Sequence, residues 1–372
     1  MKPLFAALLL IHGLIHLMGF AKAFQYADLP QLTLKISRPQ GAAWLLATVL
    51  FLATVGALWA WPQGFWMIGA LAILVSQAVI FHSWTDAKFG TLANVVALGG
   101  VLFGFASSGP WSFRAQFEAD AAQGLGRSAA ASVLSEVDAA HLPAALRQYL
   151  RVSGALGQPR VRNFHLTFKG RIRGGPDEAW MDFAGEQYNF YGPASRFFLI
   201  TASKLGVPFV VFHRFSAGKA TMRVRVAALV PMVDARGPEM TTAETVTLFN
   251  DMCVFAPGAL VDAPIEWREI DPLHVSGRFT NASVTVEAVL IFNETGELVD
   301  FVSDDRLQGS HDGTSFTPMR WSTPLRDYRS FGPHRLSATG VGRWHPEGAP
   351  AYDYIEISVE DIDYNLRPSS IR

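Results

Sequence analysis

Apolar residues follow two different rhythms along this chain. Up to residue 109 they come in long runs: "PLFAALLLIHGLIHLMGF" (3–20), "AWLLATVLFLATVGALWAW" (43–61), "GFWMIGALAILVSQAVIFH" (64–82) and "TLANVVALGGVLFGFASSG" (91–109). Each approaches the ~20 apolar residues that cross a bilayer as a helix. Trp59, Trp61, Trp66, Trp84 and Trp111 stand at the ends of these runs, where interfacial aromatic belts lie. The first run carries the early lysine of a signal peptide. Its length, its two histidines and the three runs that follow make it a retained helix instead. An all-α, four-helix transmembrane bundle is therefore predicted over residues 1–110.

From residue 160 the period changes to two. In "FHLTFKGRI", Phe164, Leu166, Phe168 and Ile172 alternate with His165, Thr167, Lys169 and Arg171. "MRVRVAAL", "LHVSGRF" and "IEISVE" repeat the alternation, and "RGGPDE", "NETGE", "GSHDGT" and "HPEGAP" supply turns between them. This pattern predicts about ten antiparallel strands with one covered face. A single segment, "MTTAETVTLFNDMCVFAPGALV", breaks it. Thr241 or Thr242 is placed to cap a helix with Glu244 closing a capping box, and Pro257-Gly258 ends the run. An apolar helix over about 241–254, alone among strands, needs a sheet to cover it. Residues 159–372 are accordingly read as an α+β domain, a curved antiparallel half-barrel around one helix. Between the two regions, residues 111–158 read as an Ala-, Ser- and Gly-rich linker followed by an amphipathic helix that buries Leu142, Leu146, Tyr149 and Leu150.

Composition narrows the function classes. With 31 Lys+Arg against 32 Asp+Glu, the chain has no basic stripe for nucleic acid. Cys253, the single cysteine, excludes an intramolecular disulfide framework and any multi-cysteine metal site. No G-x-S-x-G, H-E-x-x-H, Walker loop or dinucleotide-binding glycine motif occurs, so neither a cofactor nor an enzyme is the expectation. Lys22, Lys35, Arg38 and Lys88 in the loops on one side slightly outnumber Lys2, Arg114 and Arg127 on the other. The positive-inside rule then puts the C-terminal domain on the extracytoplasmic side.

"HGLIHLMGFAKAF", "HSWTDAKFGTLANVV", "FNETGELVDFVSDDR" and "IEISVEDIDYN", together with the helical segment above, resemble a family of uncharacterised bacterial proteins. That family has an N-terminal membrane bundle and a C-terminal β domain. The resemblance implies an integral protein of the bacterial inner membrane and supplies no activity. The expected curved sheet around a helix is also loosely similar to the lipoprotein-carrier half-barrel, whose members hold acyl chains in the concavity.

Three groups of side chains carry candidate chemistry. In the membrane region, His12 and His16 share a helix face with Gly19 and Ala23, which predicts close packing on a neighbouring helix. A haem bridging two helices needs histidines at similar depth. Counting at 1.5 Å per residue puts His82 about 9 Å from the level of His16, and puts Ser76 and Gln77 opposite it instead. A polar clasp between helices is favoured, with a redox or metal site on His12 and His16 as the alternative and a proton or ligand path as a third reading. His82, Asp86, Lys88 and Asn94 form a second polar group, placed near Lys22.

In the β domain, "DFVSDDR" concentrates Asp300, Asp304, Asp305 and Arg306, either an acidic turn with an internal arginine partner or the acid–base pair of a hydrolase. Asn250 and Asp251, beside Phe249, Met252 and Cys253, are placed to give an apolar pocket its polar groups, with Trp267, Trp321 and Tyr328 as wall candidates. The function these readings favour is non-enzymatic binding or handling of a hydrophobic ligand, a lipid or small molecule, at the bilayer. Oligomeric state is left open.

Overall fold

A computed structural model describes residues 2–127, 132–204 and 206–368. The chain divides into two compact units, Met1–Gln116 with Ala227–Leu229, and Phe117–Val226 with Val230–Arg372.

The first unit is helical. It comprises α1 (Lys2–Ile15), α2 (Leu17–Ala23), α3 (Arg38–Ala60), α4 (Phe65–His82), the short α5 (Trp84–Ala87) and α6 (Gly90–Ser108). Among the described residues, four segments are long and apolar enough to cross a membrane: Lys2–Ala23, Arg38–Ala60, Phe65–His82 and Gly90–Gly126, whose apolar stretch is α6. Ser37 and Gln40 form a capping box that starts α3. Small residues let the helices approach closely. A Cβ added to Gly19 would stand 2.1 Å from the Trp44 ring, so α2 and α3 pack nearly backbone to ring there.

The second unit begins in α7 (Phe113–Gly126) and continues with α8 (Ala144–Val152). The amphipathic stretch buries Leu142, Leu146, Tyr149 and Leu150 in the main core, and the residues expected to be a linker are packed too: Leu134 joins that core, and Phe117, Ala121 and Leu125 are buried on α7. Strands follow: β1 (Asn163–Ile172), β2 (Met181–Phe190), β3 (Ser195–Lys204), β4 (Val207–Ser216), β5 (Lys219–Val226) and β6 (Val230–Arg236). Then come α9 (Pro238–Phe255) and a 3-10 turn, Pro257–Val261. The remainder comprises β7 (Ile265–Asp271), β8 (His274–Asn281), β9 (Val284–Phe292), β10 (Leu298–Ser303), β11 (Leu307–Gly309), β12 (Phe316–Pro318), β13 (Arg320–Ser322), β14 (Leu325–Phe331), β15 (His334–His345) and β16 (Tyr352–Tyr364).

All of these strands except β11 and β12 join one 14-stranded antiparallel sheet in the order β6-β5-β4-β3-β2-β1-β16-β15-β13-β10-β9-β8-β7, with β14 paired to β15. The strands exceed the expected ten for two reasons. Three-residue strands such as β11, β12 and β13 are too short to show a period. On β2 and β4, α7 covers the outer face as well: Phe117 packs on Tyr188 and Phe212, and Gly124 sits against Phe190. Strands buried on both faces lose their alternation.

The sheet curls around α9, which packs on β5 and β6 towards one edge and on β9 and β10 towards the other. Bulges at Thr167/Phe168, Val224/Arg225 and Gly342/Arg343 supply local bends. Gly170 is required by the same curvature, since a Cβ there would meet the Glu356 carbonyl at 1.9 Å. The sheet is not closed, because β6 and β7 are its edges.

The helix α9 starts earlier than its sequence suggests. Gly237, at φ +112°, turns the chain, and Pro238 opens the first turn with its fixed φ. Thr241 therefore lies inside the helix, donating to the Gly237 carbonyl and accepting from the Ala220 N–H. Glu244 is thereby released from any capping role. At the other end, the Tyr149 and Tyr364 hydroxyls donate to the Cys253 and Phe255 carbonyls, satisfying acceptors that a helix C-terminus leaves open.

Candidate functional site

A cavity of about 680 Å³ lies between α9 and the concave face of the sheet. That volume falls within the roughly 300–1,000 Å³ of small-molecule sites. Its helical wall is one face of α9: Met240, Ala243, Glu244, Thr247, Asn250, Asp251 and Val254 recur at intervals of three or four. The face runs on to Phe255, so at 1.5 Å per residue the cavity extends about 22 Å along the helix. The opposing wall is apolar, with Phe168, Phe198, Ile200, Val211, Trp344 and Ile357 among its side chains. Exposed Glu178, Lys204 and His311 mark the mouth. The hairpin of β11 and β12 borders it, where His311 Nε2 lies 3.7 Å from Glu178 Oε1.

The polar face of α9 meets a buried network inside this greasy space. Arg196, on β3, donates from Nε to Asp251 Oδ2 at 2.6 Å and from Nη1 to Glu244 Oε2 at 3.0 Å. Gln187 and Asn189, two apart on β2 and so on one face, donate to the same Asp251 oxygen at 2.7 and 3.3 Å. His213 Nδ1 is 3.2 Å from Glu244 Oε1, and Arg306 Nη2 is 3.8 Å from it. Glu244 is 1% exposed. Burial works against its charge, but His213 and Arg196 outweigh that and hold the carboxyl well below the usual range. Burial pushes the Asp251 carboxyl up, against the pull of Arg196 and the two amides. Burial also opposes the Arg196 charge, and Asp251 with Glu244 overcomes it, keeping the guanidinium firmly charged.

The pocket candidates read from the sequence divide. Asn250, Asp251 and Trp321 line the cavity, and Asn250 donates to Thr323 Oγ1 at 3.1 Å. Phe249 and Met252 belong to the opposite face of α9, where Phe249 packs on Phe279, Phe301 and Trp267 in the core. Trp267 lies over Gly277, whose missing side chain makes room for the ring. Tyr328 donates to the Leu298 carbonyl, away from the cavity lining. Apolar residue type alone does not tell core wall from cavity wall.

The acidic cluster also separates. Asp304 pairs with Arg320 at 2.7 and 2.9 Å, not with Arg306. Asp305 accepts from the Glu287 N–H and Asp300 from the Phe301 N–H. Burial raises the Asp300 carboxyl to about 6, against these weaker pulls. Arg306 turns into the cavity, its guanidinium 5.6 and 5.9 Å from the Trp321 and Trp344 ring centres.

In the helical unit, His16 donates Nδ1–H to the His12 carbonyl at 2.8 Å, its Nε2 lies 2.9 Å from Ser76 Oγ, and the Ser76 hydroxyl donates to Asn94 Oδ1 at 3.1 Å. His12 Nε2 lies 2.9 Å from Asn94 Oδ1, Asn94 Nδ2 donates to Gln77 at 3.0 Å, and Gln77 donates to Thr91 at 3.1 Å. Asn94 thus joins the histidine pair instead of the His82 group. His82 is exposed and contacts the Ala78 carbonyl, while Asp86 accepts from Thr33 and Leu34. Among the described residues no three His, Cys, Asp or Glu side chains converge as metal ligands.

A family model of unknown function, DUF6544, matches residues 132–356. The chain belongs to that family. In this DUF6544 member the matched stretch contains α9 and nearly all of the cavity lining, and leaves out the apolar helices. Among curated proteins none matches the chain. A crystal structure of a DUF1329 family protein from Desulfovibrio piger aligns at 10% identity and a TM-score of 0.35, over 60% of this chain and 92% of that one.

The sequence reading missed Arg196, His213, Glu244, Gln187 and Asn189. One signal was available. On "YNFYGPASRFFLIT", an arginine follows a turn and enters an apolar strand, and a charge in such a strand calls for a buried partner.

Proposed function

We propose that this protein is anchored in the bacterial inner membrane by its four apolar helices, and that its β domain binds a hydrophobic ligand of the lipid class. The observation that carries the reading is the cavity: about 680 Å³, long, apolar along the sheet and polar along one helix face. Such a shape suits a chain with one polar end. Anchoring is supported by Leu4, Leu74, Phe81, Phe89 and Leu92, all more than 60% exposed on the apolar helices, which would be costly in water. Charge bias in the loops favours an extracytoplasmic β domain.

The test is mass spectrometry of lipid extracted with the purified full chain, compared with an Ala202→Trp variant. Ala202 is buried on the cavity wall, so an indole there occupies ligand space. Bound lipid in the wild type and its loss from a variant with unchanged melting temperature is the expected result. A wild-type protein that carries no lipid, and that no member of a lipid panel stabilises, would refute the reading.

A further inference from the structure

The polar face of the cavity holds two arginines in different states. Arg196 is fully engaged, its guanidinium shared between Asp251 and Glu244. Arg306 is not. Its nearest carboxylate, Glu244, is 3.8 Å away, beyond hydrogen-bond reach, and its buried Nε has no partner. Trp321, 5% exposed, likewise has an Nε1–H that no acceptor meets in good hydrogen-bond geometry, the Tyr354 hydroxyl being the neighbouring oxygen of both donors. Both side chains line the cavity, and the guanidinium lies over the Trp321 and Trp344 rings, which neighbour each other on adjacent strands. The rings hold the cation in the cavity without using its N–H donors, which stay available to an oxygen ligand. Native proteins rarely leave two buried donors side by side without acceptors, and such groups mark places where an acceptor is received.

Charge sets which acceptor. Arg196 and Arg306 face the carboxylates of Glu244 and Asp251 across one network. One further negative charge can be held by the under-used Arg306, but a dianion would lie beside Glu244, whose other partners Arg196 and His213 are already committed to it. Resting on the lipid reading above, we propose that the ligand is a long-chain aliphatic monocarboxylic acid, its carboxylate received by Arg306 with Trp321 Nε1, and its chain laid along the apolar wall beside α9. The carboxylate replaces the distant Glu244 as the bidentate partner of Arg306. Small side-chain rotations bring the two covered donors to it.

Direct binding tests this on the delipidated full chain in amphipol with three probes of one chain length: palmitate, methyl palmitate and hexadecyl phosphate. Palmitate is expected to bind at least tenfold tighter than its methyl ester, which lacks the charge, and tighter than the phosphate. Arg306→Gln should bring palmitate down to the level of the ester without changing ester binding, which also reports that the variant is folded. Trp321→Phe, which keeps the ring and loses the N–H, should weaken palmitate several-fold and the ester not at all. Equal binding of acid and ester, or tighter binding of the phosphate, would overturn the carboxylate assignment while leaving the lipid cavity standing. No binding of any of the three probes would overturn both.

Discussion

The two units each bury a polar cluster in apolar surroundings, and they do so to opposite ends. Around His12 and His16 the groups close on themselves: rings, Ser76, Asn94, Gln77 and Thr91 hand hydrogen bonds from one helix to the next. Glycines let the backbones close in around them, with a Gly13 Cβ only 2.8 Å from Phe51. Around Glu244 the groups border a cavity, and Arg306 and Trp321 keep donors unspent. A satisfied cluster without space holds elements together. A partly satisfied cluster beside space is positioned to receive something.

The largest expected effect tests how far the second network is also structural. Arg196→Met strips Glu244 and Asp251 of their common partner and should cost about 3–5 kcal/mol, as breaking a buried pair does; denaturant unfolding measures it. A loss under 1 kcal/mol would mean that the network is not a folding element.

Next comes a pH dependence of opposite sign within the β domain. The folded Asp300 carboxyl, raised to about 6, binds its proton more tightly than the unfolded chain does, so its contribution is present below pH ~4 and is lost as pH rises towards 6. Glu244, held low, contributes above the ordinary carboxylate range and loses that as pH falls below ~4.5. Asp300→Asn should flatten the stability profile between pH 4 and 6 and raise stability at pH 7 by roughly 1–3 kcal/mol. An unchanged profile would contradict the burial of that carboxyl.

Asn94→Ala probes the closed cluster. Loss of one interhelical acceptor for His12 should lower stability by roughly 0.6–2 kcal/mol in a detergent thermal scan, with no change in ligand binding by the β domain. Smallest is Asp304→Ala, which removes an exposed pair with Arg320 and should cost about 0.2–1 kcal/mol. A larger loss, or any loss of ligand binding, would give that acidic turn a role that its exposure denies it.

The helical runs were legible because membrane-length apolar segments need no partner to be recognised. The covered sheet was legible wherever one face met solvent, as in Phe164, Leu166 and Phe168. It faded on β2 and β4, because α7 covers their second face and erases the alternation. Glu244 shows the limit most clearly. In "TTAET" it sits at capping-box spacing, and only the turn at Gly237 and Pro238 moves the helix start back and turns its carboxylate to Arg196, 48 residues earlier in the chain. Asn94 moved groups for a similar reason, since it is α1 and α4 that bring His12 and Ser76 to it.

Local spacing alone determined the number of apolar helices and the one-helix interruption of the strands, because period is a property of neighbours in sequence. Which face of α9 meets the core and which meets the cavity was decided by the tertiary structure. So was the placing of Arg306, with an unspent donor, beside the cavity, because both depend on distances between strands that no spacing along the chain encodes.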